Sequence, residues 1–113
     1  MSTATRCYTP EDLLTMPDDG PRYELVDGQL VELHMGAEAD FITALITTYM
    51  QNFCIAQPVG RVVVNSSFRC FVGTPGKVRR PDAAYISFAR FPADQPLPRG
   101  FFRIVPDLAV EVV

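Results

Sequence analysis

The sequence predicts an α+β fold in which one long helix packs on a mixed β-sheet. Three observations predict it. An Asp27-Gly28 pair separates two β-prone runs, residues 40–56 carry a helical apolar period, and short apolar strands follow Pro58. With 113 residues the chain is long enough for one small domain.

The elements follow in order. Thr9-Pro10-Glu11-Asp12 starts a short helix: Thr9 can cap, proline suits the first helical position, and acids favour the positive helix end. Tyr23 to Val26 and Gln29 to Leu33 form a hairpin, because the type I′ turn between them needs positive φ at both central residues, here Asp27 and Gly28. Asp40 to Ala56 is the main helix. Its packing stripe is expected to be Ile42, Leu45, Ile46, Tyr49 and Phe53, with Thr43, Thr47, Gln51 and Asn52 largely on the far side. Pro58 and Gly60 end it.

A strand starts at Arg61 and is expected to run to Val72, with a bulge at Asn65-Ser66, before a turn at residues 73–76. Ala83 to Phe88 is the next strand. Phe91 to Pro106 is a proline-rich loop. The last strand, Leu108 to Val113, is nearly all apolar, as a central strand buried on both faces would be. The helix that would cover it is absent, so the fold is expected to be incomplete at its C-terminus.

Composition narrows the function. No apolar run approaches the roughly 18 residues of a membrane span, and the first residues lack the apolar stretch of a signal peptide, so a cytoplasmic protein is expected. Cys7, Cys54 and Cys70 form no CxxC pair and His34 is the only histidine, which argues against a zinc site. Cys54 and Cys70 are expected in the core, and His34 at the surface by the hairpin end. The net charge of −3 does not suggest a nucleic-acid binder, but its distribution is uneven. Residues 1–57 hold two arginines and nine acids, whereas residues 58–113 hold eight basic residues and four acids. That asymmetry fits an acidic half that binds a cation or a partner and a basic half that faces phosphates. Charges merely spread over a solvated surface fit it equally.

Asp82 and Glu111 carry the chemistry. Asp82 opens an apolar strand, and Glu111 is the only charge in another. A carboxylate among valines is costly unless it is paired or binds a cation. On neighbouring strands the two acids would share one site, and two carboxylates with water and phosphate oxygens suit Mg²⁺. At a phosphodiester such an ion polarises the phosphoryl oxygen and acidifies a water. Arg79, Arg80, Arg61 and Arg69 are the candidate phosphate contacts. The structural alternatives stay open: Asp82 as a strand-start acid, Glu111 paired to an arginine such as Arg103, Glu24 on an exposed hairpin face, and the arginines as a solvated strand edge.

Three segments in order then carry a resemblance. Tyr23-Glu24-Leu25-Val26-Asp27-Gly28-Gln29-Leu30-Val31-Glu32, Val78-Arg79-Arg80-Pro81-Asp82-Ala83 and Pro106-Asp107-Leu108-Ala109-Val110-Glu111-Val112 are similar to the successive motifs of the Uma-two family of bacterial endonucleases, in the PD-(D/E)xK superfamily. Thr9-Pro10-Glu11-Asp12-Leu13 resembles its opening helix. The resemblance implies a single restriction-endonuclease-like domain over residues 1–113, the N-terminal portion of one. It also implies Mg²⁺ or Mn²⁺ on Asp82, Glu111 and the Val112 carbonyl, with Glu24 as an accessory catalytic acid.

Two departures stand out. Val113 occupies the place of the superfamily's lysine in the simple ExK spacing, and the chain's one lysine is Lys77. Asp40 stands near the place where family members often carry a histidine. The expected function is therefore metal-dependent hydrolysis of DNA phosphodiesters, weak or absent in this chain itself. The competing reading is a non-catalytic module that dimerises or binds nucleic acid.

Overall fold

The computed structural model describes residues 7–17, 21–33, 36–69 and 77–113. Helix α1 (Pro10–Leu14) begins with a capping box: the Thr9 amide donates to Asp12 Oδ2 at 2.8 Å and the Asp12 amide to Thr9 Oγ1 at 3.4 Å. Strands β1 (Tyr23–Val26) and β2 (Gln29–Glu32) pair antiparallel from Val26↔Gln29 to Tyr23↔Glu32. Asp27 at φ 51° and Gly28 at φ 78° form the expected turn. The Gly28 carbonyl accepts the Tyr8 amide at 2.8 Å, which lays Tyr8 against the hairpin tip.

Helix α2 (Ala37–Ala56) begins three residues before the expected Asp40, from a Gly36 N-cap, with Glu38 and Asp40 in the first turn. Its packed face is not the expected one. Tyr49 is 74% exposed and Phe53 54%, while Thr43 and Cys54 are each 8% exposed. Thr43, Thr47, Met50 and Cys54 recur at helical spacing and form the inward stripe, leaving Phe41, Ile42, Leu45, Tyr49 and Phe53 outward. Small side chains at 43, 47 and 54 let the helix approach β3 and β4, an advantage that residue-by-residue hydrophobicity does not register.

Strand β3 (Gly60–Val64) pairs antiparallel with β4 (Ala83–Ser87), and β4 with β5 (Leu108–Val110). The strand expected to run from Arg61 to Val72 stops at Val64, because Asn65 takes φ 49° and turns the chain. Phe68 instead bridges to Arg79 on one side and Phe102 on the other. The ladders within both sheets are antiparallel, and the parallel contact among the described residues is the isolated Phe68↔Phe102 bridge.

Strand β5 is not central. The order β3-β4-β5 puts it at the edge of its described sheet, with Leu108 and Ala109 exposed, and β4 takes the middle. His34, Cys70, the expected strand segment to Val72 and the turn at 73–76 lie outside the described residues.

The core lies between this sheet and the long loop. Phe68, Ala84, Ile86, Phe91 and Phe102 form one buried cluster, with Val63 and Ile104 against it. Phe68 stacks on Phe102 at 5.0 Å between ring centroids, and Phe91 meets Phe102 edge-on at 5.5 Å. Cys54 is buried as expected, and Cys7 is exposed.

The hairpin joins the sheet through residues 78 and 79. Leu25 exchanges backbone hydrogen bonds with Val78 at 2.8 and 2.7 Å, and Arg79 exchanges them with Phe68 at 2.9 and 2.8 Å. This short tie brings β1 beside the start of β4. Among the described residues no helix is long and apolar enough to cross a membrane.

Candidate active site

Three acids from three elements converge where the hairpin, the start of β4 and the end of β5 meet. The β4–β5 register pairs Ala83 with Val110, so one further step sets Asp82 across from Glu111. The Val112 amide donates to Asp82 Oδ2 at 2.7 Å, which fixes the Asp82 carboxylate over the end of β5. Glu24 arrives from β1. It is buried, and its Oε2 accepts the Arg80 amide at 2.6 Å while Oε1 lies 3.3 Å from Arg79 Nε.

The electrostatics register this convergence. The Glu111 carboxyl is pushed above its ordinary value, first by partial desolvation and then by repulsion from Glu24 and Asp82; Arg79 pulls it back. Three carboxylates thus face one guanidinium. Both Glu24 oxygens already hold partners, so the open acceptors belong to Asp82 and Glu111. Among the described residues no group of three acid, cysteine or histidine side chains is placed to hold a metal ion. A cation here would need two carboxylates completed by backbone oxygen and water.

Of the arginines chosen from sequence, Arg79 and Arg80 reach this region and Arg61 and Arg69 do not. Arg79 pairs with Glu24, and Arg80 Nε donates to the Asn65 carbonyl at 2.9 Å. Arg61 donates to the Ala93 carbonyl and lies over the Phe88 and Phe91 rings, 6.0 and 5.8 Å from their centroids. Arg69 pairs with Glu11 at 3.5 Å and lies over Phe101. Arg103, the sequence candidate for pairing Glu111, lies over the Phe101 ring at 5.4 Å instead.

Sequence reasoning missed Asp107. Its carboxylate accepts the Ser87 amide at 2.7 Å and the Ser87 hydroxyl at 3.1 Å, and pairs with Arg90 at 2.8 Å. The Ser87 amide, then its hydroxyl and Arg90 hold the Asp107 carboxyl below its ordinary value. The contact pins the entry to β5, and with it the register that places Glu111. The signal was present in the Pro106-Asp107 pair just before an apolar strand.

Comparison with known proteins agrees with this geometry. The Uma2 family model, described as "Putative restriction endonuclease", matches residues 10–113. A crystal structure of "a putative nuclease belonging to DUF820" from Anabaena variabilis ATCC 29413 is similar to the chain, with a TM-score of 0.74 and 18% identity. The match covers 93% of this chain and 57% of that one, so the chain spans little more than half the length of that solved structure. At that identity the likeness establishes the fold, a restriction-endonuclease-like α+β arrangement. No curated protein matches the chain.

Proposed function

The chain belongs to the Uma2 family, and from that membership we propose that it carries the acidic centre of a metal-dependent endonuclease that hydrolyses DNA phosphodiesters. The observation that carries the reading is geometric: the β4–β5 register sets Asp82 across from Glu111, and the Val112 amide at 2.7 Å holds Asp82 over the end of β5; the raised Glu111 carboxyl accords with it. Negative charge concentrated against one guanidinium is unfavourable by itself and is relieved by a cation.

Asp82 and Glu111 are the residues that would hold Mg²⁺ or Mn²⁺, with the Val112 carbonyl as a third donor; oxygen donors of this kind suit either ion. When bound, such an ion supplies charge stabilisation at the phosphoryl oxygen and acidifies a water. The chain's own residues set the geometry. The Val112 amide orients Asp82, Asp107 fixes the strand that carries Glu111, and Arg79 and the Arg80 amide hold Glu24 beside them. Arg79 and Arg80 are the arginines positioned to meet phosphate oxygens.

Val113 stands where a lysine would follow the second acid. Cation binding is therefore a more direct test than cleavage. Thermal unfolding of the wild type, Asp82→Ala and Glu111→Ala is compared with and without Mn²⁺. The reading requires a Mn²⁺-dependent rise in the wild-type midpoint that both variants lose. A wild type indifferent to Mn²⁺ leaves the two acids with structural roles.

A second reading is favoured by the outward face of α2. Phe41, Leu45, Tyr49 and Phe53 form an exposed apolar stripe, which suits a non-catalytic module that dimerises. That reading requires a midpoint that depends on protein concentration and not on Mn²⁺.

A further inference from the structure

The backbone and the side chain of Arg79 are held in different ways. The backbone is fixed: its amide donates to the Phe68 carbonyl at 2.9 Å, and its carbonyl accepts the Phe68 amide at 2.8 Å. The side chain is held more loosely. Its guanidinium meets Glu24 through Nε at 3.3 Å and is 47% exposed. Glu24 is the anchored partner, buried and tied through Oε2 to the Arg80 amide at 2.6 Å. If the pair opens, Arg79 is therefore the side that leaves, and it leaves toward water.

The same guanidinium acts on more than Glu24. Burial first, then the Glu24 and Asp82 charges, push the Glu111 carboxyl up, and Arg79 draws it back. Arg79 thus supplies to this group of acids what a bound cation would supply, a positive charge. Two positive charges beside the same carboxylates repel, and each weakens the other's hold. A divalent ion on Asp82 and Glu111 carries twice the charge of a guanidinium and cancels the field that keeps Arg79 turned inward. Opening a half-exposed ion pair costs little. Once released, the guanidinium sits on a fixed backbone three residues before Asp82. Its fork matches a phosphate group.

We propose that Arg79 is a shared counter-ion: it neutralises the acids when no cation is bound, and it turns to a DNA phosphate when a cation takes its place. The proposal rests on the nuclease reading and adds a coupling to it. Cation and phosphodiester each favour the outward Arg79, so each strengthens the other's binding through this side chain. An arginine that only steadied the hairpin would give no such coupling.

Two measurements on the whole chain test this, and neither reads cleavage. The first is Mn²⁺ affinity without DNA, taken from the electron paramagnetic resonance signal of unbound Mn²⁺. Arg79→Gln should tighten Mn²⁺ binding about three- to tenfold, because the competing charge is gone. Arg79→Lys should stay near the wild type. Arg103→Gln, which removes an equal charge elsewhere, should stay within about twofold. The second is fluorescence anisotropy of a labelled duplex, in EDTA and in Mn²⁺. Arg79→Gln should change DNA affinity by less than about twofold in EDTA and weaken it about fivefold in Mn²⁺. The wild type carries an independent readout. In the spectrum of its arginine Nε–Hε groups, Mg²⁺ should move the Arg79 resonance, assigned with Arg79→Lys, toward that of a solvated guanidinium and leave the Arg103 resonance in place.

Mn²⁺ binding that Arg79→Gln leaves unchanged or weakens would overturn the proposal. So would equal losses of DNA affinity in EDTA and in Mn²⁺, which mark a phosphate contact made regardless of the cation, or an Arg79 resonance that Mg²⁺ does not move. Each of these outcomes has Mn²⁺ or Mg²⁺ bound by the wild type. Failure of the nuclease reading is distinct: the wild type then binds no Mn²⁺, and both readings fall together.

Discussion

Glu24 and Arg79 form an ion pair with one buried and one exposed partner: Glu24 Oε1 lies 3.3 Å from Arg79 Nε, with side-chain exposures of 8% and 47%. Glu24 also holds the Arg80 amide at 2.6 Å, so one side chain fastens the hairpin to the segment that leads into β4. Removing it strands a backbone donor and a guanidinium. Glu24→Ala is expected to cost about 2–3 kcal/mol in urea denaturation and Glu24→Gln about 1 kcal/mol, because the amide oxygen still accepts the Arg80 donor. Equal costs would contradict the assigned hydrogen bond.

The raised Glu111 carboxyl sets a pH dependence. Well below its ordinary value of 4.5 both folded and unfolded chains carry the proton, and Glu111 contributes nothing. Above that value the unfolded chain ionises more readily, so folding is penalised, fully so above the folded value. Glu111→Gln should therefore raise the midpoint near neutral pH by about 1–3 °C, discounted for its exposure, and the gain should vanish in acid. Thermal melts at pH 7 and pH 3 distinguish this from a pH-independent packing effect.

Asp107 behaves oppositely. Its carboxyl is lowered by the Ser87 amide, the Ser87 hydroxyl and Arg90, so it stabilises the fold above its ordinary value of 3.8. That contribution is lost as pH falls through the folded value. Asp107→Asn should lower the midpoint at neutral pH and make little difference in strong acid. It should also weaken the Mn²⁺ response, since β5 carries Glu111.

On α2, the Thr47 hydroxyl is buried without a hydrogen-bond partner among the described residues, whereas Thr43 donates to the Ala39 carbonyl at 2.8 Å. Thr47→Val is expected to stabilise by about 0.5–1 kcal/mol and Thr43→Val not to. Tyr49→Glu, on the outward face, should leave urea stability within about 0.5 kcal/mol. A large loss there would show that the expected stripe packs inward after all.

At Gly60 an added Cβ would meet the Tyr85 ring at 2.5 Å and the Ile86 carbonyl at 2.6 Å. The second neighbour is backbone in the middle strand and cannot swing aside. Gly60→Ala should cost at least about 1–3 kcal/mol in urea denaturation, as overpacking does.

Local chemistry was legible in the sequence where one residue type has one conformational use. Thr9-Pro10 announced the helix start and its cap, and Asp27-Gly28 the turn. The acids at 82 and 111 were recognisable as out of place in apolar strands, whereas Glu24 stood out only through the family resemblance; the structure brings the three to one region. Competition among weaker preferences was not legible. Both sides of α2 carry enough apolar atoms to pack, and close approach by Thr43, Thr47 and Cys54 decides the matter. Asn65 permits a left-handed turn without requiring one, so the end of β3 could not be read. An apolar run such as Leu108–Val110 looks the same at the edge of a sheet as in its centre.

The Val112 amide donates to Oδ2 of Asp82, so Oδ1 is the less engaged oxygen of that carboxylate. A cation at the proposed site would find Oδ1 the freer of the two oxygens. Monodentate grip favours a small ion with strict octahedral demands and retained waters over a larger one that welcomes bidentate carboxylates. On the proposed cation reading, the backbone hydrogen bond would bias the denticity of Asp82, and the order to expect in the unfolding assay would be Mg²⁺ and Mn²⁺ ahead of Ca²⁺.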